Sequence, residues 1–167
     1  MCDLDTQQDV EEYLKDHPDM SRRDFTKLAA GVGAGMMLPT MANAQSISER
    51  NIDIETPDGV ADCHFAYPSS GAHAAVLVWP DILALRPAFR EMGRRLARAG
   101  YAVLTVNPFY RDARSPVVSF GASFGDPDVR NHVLSMARNL NEDTHFTDAR
   151  AFQAWLDQQP EVDTSKG

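Results

Sequence analysis

Cysteine is scarce in this 167-residue chain: there are two, Cys2 and Cys63. Cys2 falls in an N-terminal stretch that reads as a removable leader, so a single thiol remains and no internal disulfide can form. Neither cysteine stands at metal-ligand spacing, and the histidines at 64, 73, 132 and 145 show none of the spacings that zinc sites use. No metal and no cofactor is expected. Basic charge is also in short supply. Sixteen Lys+Arg face 24 Asp+Glu, a net charge of −8. Binding to a phosphate backbone needs a basic footprint, so nucleic acid is not an expected partner. No apolar run reaches the roughly 20 residues that span a bilayer, so no stable membrane anchor is expected. There are no internal repeats, and the length suits one domain.

Residues 1–44 read as an export segment. Met1–Met20 is polar and acidic, with little helical or strand period. Ser21-Arg22-Arg23-Asp24-Phe25-Thr26-Lys27 then precedes the apolar run Leu28–Leu38, and Pro39 precedes Ala42-Asn43-Ala44, a small-x-small cleavage signature. The adjacent Arg22 and Arg23 ahead of a Gly-rich, moderately apolar run resemble a twin-arginine signal. The expectations are cleavage after Ala44, the twin-arginine translocase as a partner, and a periplasmic location. With the leader's 4 Lys+Arg and 8 Asp+Glu set aside, 12 basic and 16 acidic side chains remain, a net −4.

Residues 45–167 are organised around 74–111. Ala74–Trp79 is apolar without polar alternation, as expected of a parallel strand buried on both faces. Pro80-Asp81 stops it. Phe89, Met92, Gly93 and Leu96 recur at i, i+3, i+4, i+7, the period of a helix with one buried face. Arg90, Arg94, Arg95 and Arg98 occupy the rest of the circumference, and Gly100 ends the helix. Tyr101–Val106 is a second buried strand, closed by Pro108. This is a βαβ unit. In open α/β sheets the chemistry sits at the carboxyl ends of the strands, which places Asp81–Leu85 and Asn107–Arg111 at the site end.

Before this unit, Asn51–Glu55 alternates, Thr56-Pro57-Asp58-Gly59 is a turn, and Gly59–Tyr67 returns as the second strand of a hairpin. Cys63 alternates with its neighbours there and reads as a buried structural thiol, with His64 on the opposite sheet face. After Arg111 the chain is irregular until Asp126-Pro127-Asp128, a helix start. That helix runs through Val129, Val133, Met136 and Ala137. Another starts at 144–148 and carries Ala149, Phe152, Trp155 and Leu156 on one face. A parallel sheet with this order wants a further central strand after the last helix. Residues 45–167 therefore read as the N-terminal part of a larger α/β domain.

The run Val76-Leu77-Val78-Trp79-Pro80-Asp81-Ile82, the helix with Gly93, Gly100-Tyr101, Asn107-Pro108-Phe109-Tyr110-Arg111, Thr147-Asp148-Ala149 and Trp155-Leu156 resemble the dienelactone hydrolases. The closest likeness is to their exported, twin-arginine-bearing members. The resemblance implies an α/β fold, an α/β-hydrolase-type three-layer sandwich, here incomplete: the N-terminal hairpin plus the first βαβ units. It implies hydrolysis of a small-molecule ester or lactone by a Cys-His-Asp triad. The nucleophile of that triad would lie in a Gly-x-Cys-x-Gly elbow on the strand after Lys166-Gly167, so this chain alone is expected to be inactive. Asp81 matches a carboxylate, usually Glu in the family, that contacts the nucleophile. Ile82 matches the residue whose backbone N–H enters the oxyanion hole. Leu83-Ala84 stands where the family often has Phe-Gly. Arg130 falls where an arginine binds an acidic substrate's carboxylate. For Tyr110 and Arg111, packing and loop anchoring are expected.

Gly121-Ala122-Ser123-Phe124-Gly125 matches the pattern of a serine nucleophile elbow. It lacks the buried strand before and the buried helix after that the motif requires, and reads as a loop. The alternative to the hydrolase reading is a small non-catalytic exported binding or interaction domain. Such a domain would carry an exposed strand edge, an aggregation liability.

Overall fold

The computed structural model describes residues 45–166, so the readings on Arg22, Arg23, Ala42 and Ala44 lie outside the described residues. The elements are β1 (Ile47–Thr56), β2 (Gly59–Pro68), β3 (Ala75–Val78), α1 (Pro87–Arg98), β4 (Ala102–Val106), α2 (Pro127–Ala137), α3 (Glu142–Leu156) and a 3-10 turn (Thr164–Lys166). The sheet order is β1-β2-β4-β3. β1, β2 and β4 pair antiparallel in succession, and β3 runs parallel to β4. β3-α1-β4 is the expected βαβ unit.

The hairpin is longer than the alternation at 51–55 suggests. Its ladder runs from Ile47↔Pro68 to Thr56↔Gly59, because the polar Ser48, Glu49 and Arg50 extend an edge strand whose outward side chains are satisfied by partners elsewhere in the chain. Pro57 and Asp58 make the turn, and Gly59 takes φ 138, where a side chain would be strained.

Alternation along β2 and β4 divides the core into two faces. Cys63, Phe65, Leu104 and Val106 point to one side, where Phe152 and Leu156 of α3 cover them. Ala66 and Val103 point to the other, under Ala97 of α1. Burying a Phe, Leu or Val side chain contributes about 1.5–3 kcal/mol. Phe65, Leu104, Val103 and Phe152 are fully buried, so these two faces supply the main driving force. A third cluster lies beyond the sheet. Ala84, Phe109, Val117, Val133 and Met136 join the loop after β3 to α2 and to the stretch after β4.

Two expectations are corrected. β3 is half-buried along its whole length rather than buried on both faces. Among the described residues it pairs with β4 alone, and a single parallel bridge, His73↔Val162, lies just ahead of it. Met92 is 47% exposed, although its spacing placed it on the buried face of α1. That face is centred on Gly93 and Ala97, because the helix approaches β4 through the one position without a side chain. A Cβ on Gly93 would lie 3.1 Å from Thr105 Oγ1.

The helix starts follow their caps. Asp126 Oδ1 accepts the Asp128 N–H at 2.9 Å, with Pro127 at the first helical position. α3 begins at Glu142, two residues before the expected start. Asn141 caps it, accepting the Thr144 N–H at 3.1 Å while Thr144 Oγ1 accepts the Asn141 N–H at 2.9 Å. At the carboxyl end of β4, Asn107 uses all of its side chain. It donates to Asp62 Oδ1 and to the Ala113 carbonyl, both at 2.8 Å, and accepts the Phe109 N–H at 3.1 Å. Asp62 in turn accepts the Ser115 N–H at 2.9 Å and the Ser115 hydroxyl.

Candidate active site

β3 ends at Val78, and the chain turns at Asp81–Ala84 before α1. The Ala84 N–H donates to the Asp81 carbonyl at 2.8 Å. The Leu83 N–H donates to Asp81 Oδ1 at 2.9 Å. The Ile82 N–H donates to no atom among the described residues. Of the three amides in the turn, the one left unpaired is therefore the one that the family resemblance assigns to the oxyanion hole.

Ala84 closes the turn at φ 60 and is fully buried. A left-handed conformation is unusual for a residue with a Cβ. This is the position where the resemblance expects glycine, and the positive φ is the physical reason for glycine there. In this chain the methyl is packed among Phe109, Val117, Val133 and Met136, and that burial offsets the backbone cost.

Asp81 has an exposed carboxylate, 48% accessible. Its oxygens meet groups of its own loop. Arg86 binds it with both terminal nitrogens, Nη1 to Oδ1 and Nη2 to Oδ2, the latter at 2.8 Å. Arg86 also lies over the Phe89 ring, 5.0 Å from its centroid. The Arg86 guanidinium, helped by the Leu83 N–H, holds the Asp81 carboxyl below the usual carboxylate range against a smaller opposing effect of burial. Asp81 is thus ionised and oriented at neutral pH.

Arg130 lies in the first turn of α2, half-buried, and forms no ion pair among the described residues. An open cleft of ≈ 510 Å³ beside it is lined by Pro116, Val117, Val118, Val129 and His132. Asp81, Ile82 and Arg130 do not line that cleft. Cys63 is 1% exposed on the α3 side of the sheet, and burial pushes its thiol strongly up. His64 is on the other side, as alternation required, with Nε2 2.9 Å from Glu49 Oε2. The two do not form a nucleophile–base pair. Ser123 sits in an exposed turn, where its Oγ accepts the Gly125 N–H at 3.1 Å and meets no histidine. Among the described residues, no cluster of His, Cys, Asp and Glu is arranged to hold a metal, and no helix is long and apolar enough to cross a membrane.

Tyr110 and Arg111 anchor the loop, as expected, through a residue whose importance the sequence reading missed. Asp148 on α3 is fully buried. It accepts the Tyr110 hydroxyl at 2.6 Å and both terminal nitrogens of Arg111, at 2.8 and 2.7 Å. Arg111 also reaches Asp58 in the hairpin turn at 2.6 Å, and Tyr110 Oη lies 2.8 Å from Thr56 Oγ1. Burial, reinforced by Asp148, pushes the Tyr110 phenol up to about 12. The signal was present: Asp148 stands four residues before Phe152 and eight before Leu156, on the apolar stripe of its helix.

Comparison with solved structures agrees with this architecture. A protein described as a dienelactone hydrolase from Klebsiella pneumoniae superposes with a TM-score of 0.59 at 16% identity, over 73% of this chain and 48% of that one. A dienelactone hydrolase-like promiscuous phosphotriesterase from metagenomic libraries superposes with a TM-score of 0.54 at 26% identity, over 72% of this chain and 47% of that one. The chain thus spans about half the length of the solved structures it matches. A search of curated proteins gave no match. Residues 62–166 match the profile of the dienelactone hydrolase family, and the chain belongs to that family.

Proposed function

We propose that residues 45–167 supply the oxyanion half of a hydrolase site for a small-molecule ester or lactone. The carrying observation is the unpaired Ile82 N–H at the carboxyl end of β3, in a turn whose other amides are satisfied. A backbone donor fixed before the reaction stabilises the charge that develops on an attacked carbonyl oxygen, because no reorganisation is needed as the charge appears. A thiolate from a Gly-x-Cys-x-Gly elbow would attack the carbonyl, the oxyanion would collapse to an acyl-enzyme as the C–O bond breaks and the alkoxide takes a proton from the triad histidine, and water would hydrolyse the thioester to release the acid and the thiol. Arg130 is proposed to attract a carboxylate on the substrate.

The 167-residue chain is expected to leave 4-nitrophenyl acetate and a simple lactone unhydrolysed. A chain continued through such an elbow and its triad is expected to hydrolyse them with sensitivity to thiol reagents. Measured against Ile82→Ala, which equally loses the side chain packed on the Ala84 cluster but keeps the N–H, Ile82→Pro in that longer protein removes the proposed donor, since proline suits the second position of a turn but carries no N–H. It should lower kcat by about 10²–10³ with little change in KM. Unchanged kcat would exclude Ile82. Turnover by the 167-residue chain that persists in Cys63→Ser would contradict the whole scheme. One structural neighbour is named as a phosphotriesterase, so a phosphotriester is a natural second substrate in the same assay.

The proposal includes export through the twin-arginine pathway. Replacing Arg22 and Arg23 by lysine should leave an uncleaved precursor in the cytoplasm, whereas the parent should yield a periplasmic product beginning at Gln45. A product of full mass in the periplasm would refute cleavage after Ala44.

A further inference from the structure

We infer that Asp81 is a positioning residue, a clamp that sets the Ile82 amide, rather than a carboxylate that meets the reacting group. This rests on the reading of Ile82 as the oxyanion donor. Although the carboxylate is exposed, both of its oxygens are engaged by groups of its own turn and the start of α1. Oδ1 accepts the Leu83 N–H at 2.9 Å and a bond from Arg86 Nη1, while Oδ2 accepts Arg86 Nη2 at 2.8 Å. The side chain therefore folds back over its own turn.

Its length suits that task. An aspartate or asparagine oxygen reaches the backbone N–H two residues on, whereas a glutamate, one methylene longer, does not close the same ring. Two bonds from one residue then fix the turn, the carbonyl to the Ala84 N–H and the side chain to the Leu83 N–H. The Asp81 carbonyl that accepts the Ala84 N–H shares one planar peptide unit with the Ile82 N–H, so holding the carbonyl sets the direction of that N–H. Arg86 locks the clamp from outside and is itself held over Phe89. Beneath, the buried left-handed Ala84 keeps the turn from unwinding.

A clamp and a charged participant make opposite predictions for two substitutions. Asp81→Asn loses the charge but keeps an oxygen that can accept the Leu83 N–H. Asp81→Glu keeps the charge but loses the ring. Amide hydrogen exchange of the full 167-residue chain reads this without any catalysis. In the parent, the Leu83 amide should exchange at least about fivefold more slowly than the Ile82 amide, after correction for intrinsic rates. Asp81→Asn should retain that protection, and Asp81→Glu and Asp81→Ala should abolish it. Protection in the Glu variant together with loss in the Asn variant would overturn the inference, as would equal exchange at Leu83 and Ile82 in the parent. Asp81 is exposed, so none of these variants buries a charge. Arg86→Gln is a second check and should raise Leu83 exchange by a smaller factor; no change at all would remove Arg86 from the clamp. In a chain continued through the nucleophile elbow, kcat should rank Asn above Glu, and the reverse order would assign Asp81 to the reacting group. Failure of hydrolysis with the exchange pattern intact would count against the proposed function alone.

Discussion

Arg111→Met tests how α3 is held to the loop after β4 and to the hairpin turn. The Asp148 carboxylate is fully buried and takes two of its three bonds from Arg111. Removing the guanidinium leaves a buried charge with the Tyr110 hydroxyl as its only partner among the described residues. Breaking a buried pair in this way costs about 3–5 kcal/mol, mainly as the penalty of the stranded charge. The second partner of Arg111, Asp58, is 42% exposed and adds at most about 1 kcal/mol. Single domains have only about 5–15 kcal/mol of stability. At a urea slope near 2 kcal/mol per molar, the midpoint should fall by about 2 M. The assay is urea unfolding followed by tryptophan fluorescence, since Trp155 packs against Phe65 beside this network. Arg111→Met with Asp148→Leu removes both charges and should recover most of the loss. Asp58→Asn alone should shift the midpoint by less than about 0.5 M. If Arg111→Met costs under 1 kcal/mol, or if the double variant is less stable than the single one, the buried pair is not what joins α3 to the loop.

Three further outcomes are expected. Gly93→Ala gains about 1 kcal/mol of helix propensity but sets a methyl 3.1 Å from Thr105 Oγ1. Overpacking costs about 1–3 kcal/mol, so urea unfolding should show a net loss of about 1 kcal/mol that disappears in a Thr105→Ala background; a loss that persists there would mean the crowding lies elsewhere. Thr105 Oγ1 is buried with no hydrogen-bond partner among the described residues, so Thr105→Val should raise stability by about 1 kcal/mol, and a fall would reveal a partner for the hydroxyl. His64 is 2% exposed; burial pushes its pKa below the ordinary imidazole value of 6.5, against the opposing bond to Glu49, with Arg90 and Arg94 adding to the depression. The unfolded chain therefore takes up a proton near pH 6.5 that the folded chain refuses. This contribution to stability is present above pH 6.5 and is lost as pH falls toward the folded pKa. His64→Gln should flatten the urea midpoint between pH 7.5 and 5.5, and an unchanged slope would place the acid sensitivity on other groups.

Much of the fold was legible because strong local signals agreed. The apolar runs, the Pro80 and Pro108 stops, the Pro57-Asp58-Gly59 turn and the Asp126-Pro127 cap located the hairpin, the βαβ unit and α2. Strand alternation correctly put Cys63 and His64 on opposite faces. What the sequence hid was rotation and partnership. The apolar residues of α1 fit two neighbouring faces about equally, and a contact with Thr105, remote in the chain, selects the one centred on Gly93. The buried role of Asp148 depends on Arg111, 37 positions away, and no periodicity carries that pairing. At the candidate site, the position of Asp81-Ile82 at the carboxyl end of β3 followed from the strand and its proline stop. The backward fold of the Asp81 side chain did not, because it depends on Arg86 entering from the start of α1.

Asn107 has a consequence for how this chain tolerates change. Its carboxamide ties the residues that follow β4 to Asp62 and to Ala113, Asp62 holds Ser115, and from the far limb Asn139 donates to Asp112 at 2.9 Å while His132 Nε2 lies 3.1 Å from the Val117 carbonyl, so the excursion is sewn shut at its base. Its apex has no such tether among the described residues: Phe120 is 97% exposed, and Gly121 and Ser123 lie in open turns. Lengthening a loop whose ends are already held together adds little closure entropy. The apex at 119–123 is therefore a natural port for inserted sequence, where a peptide tag or a small domain can be accommodated without strain reaching the Ile82 turn.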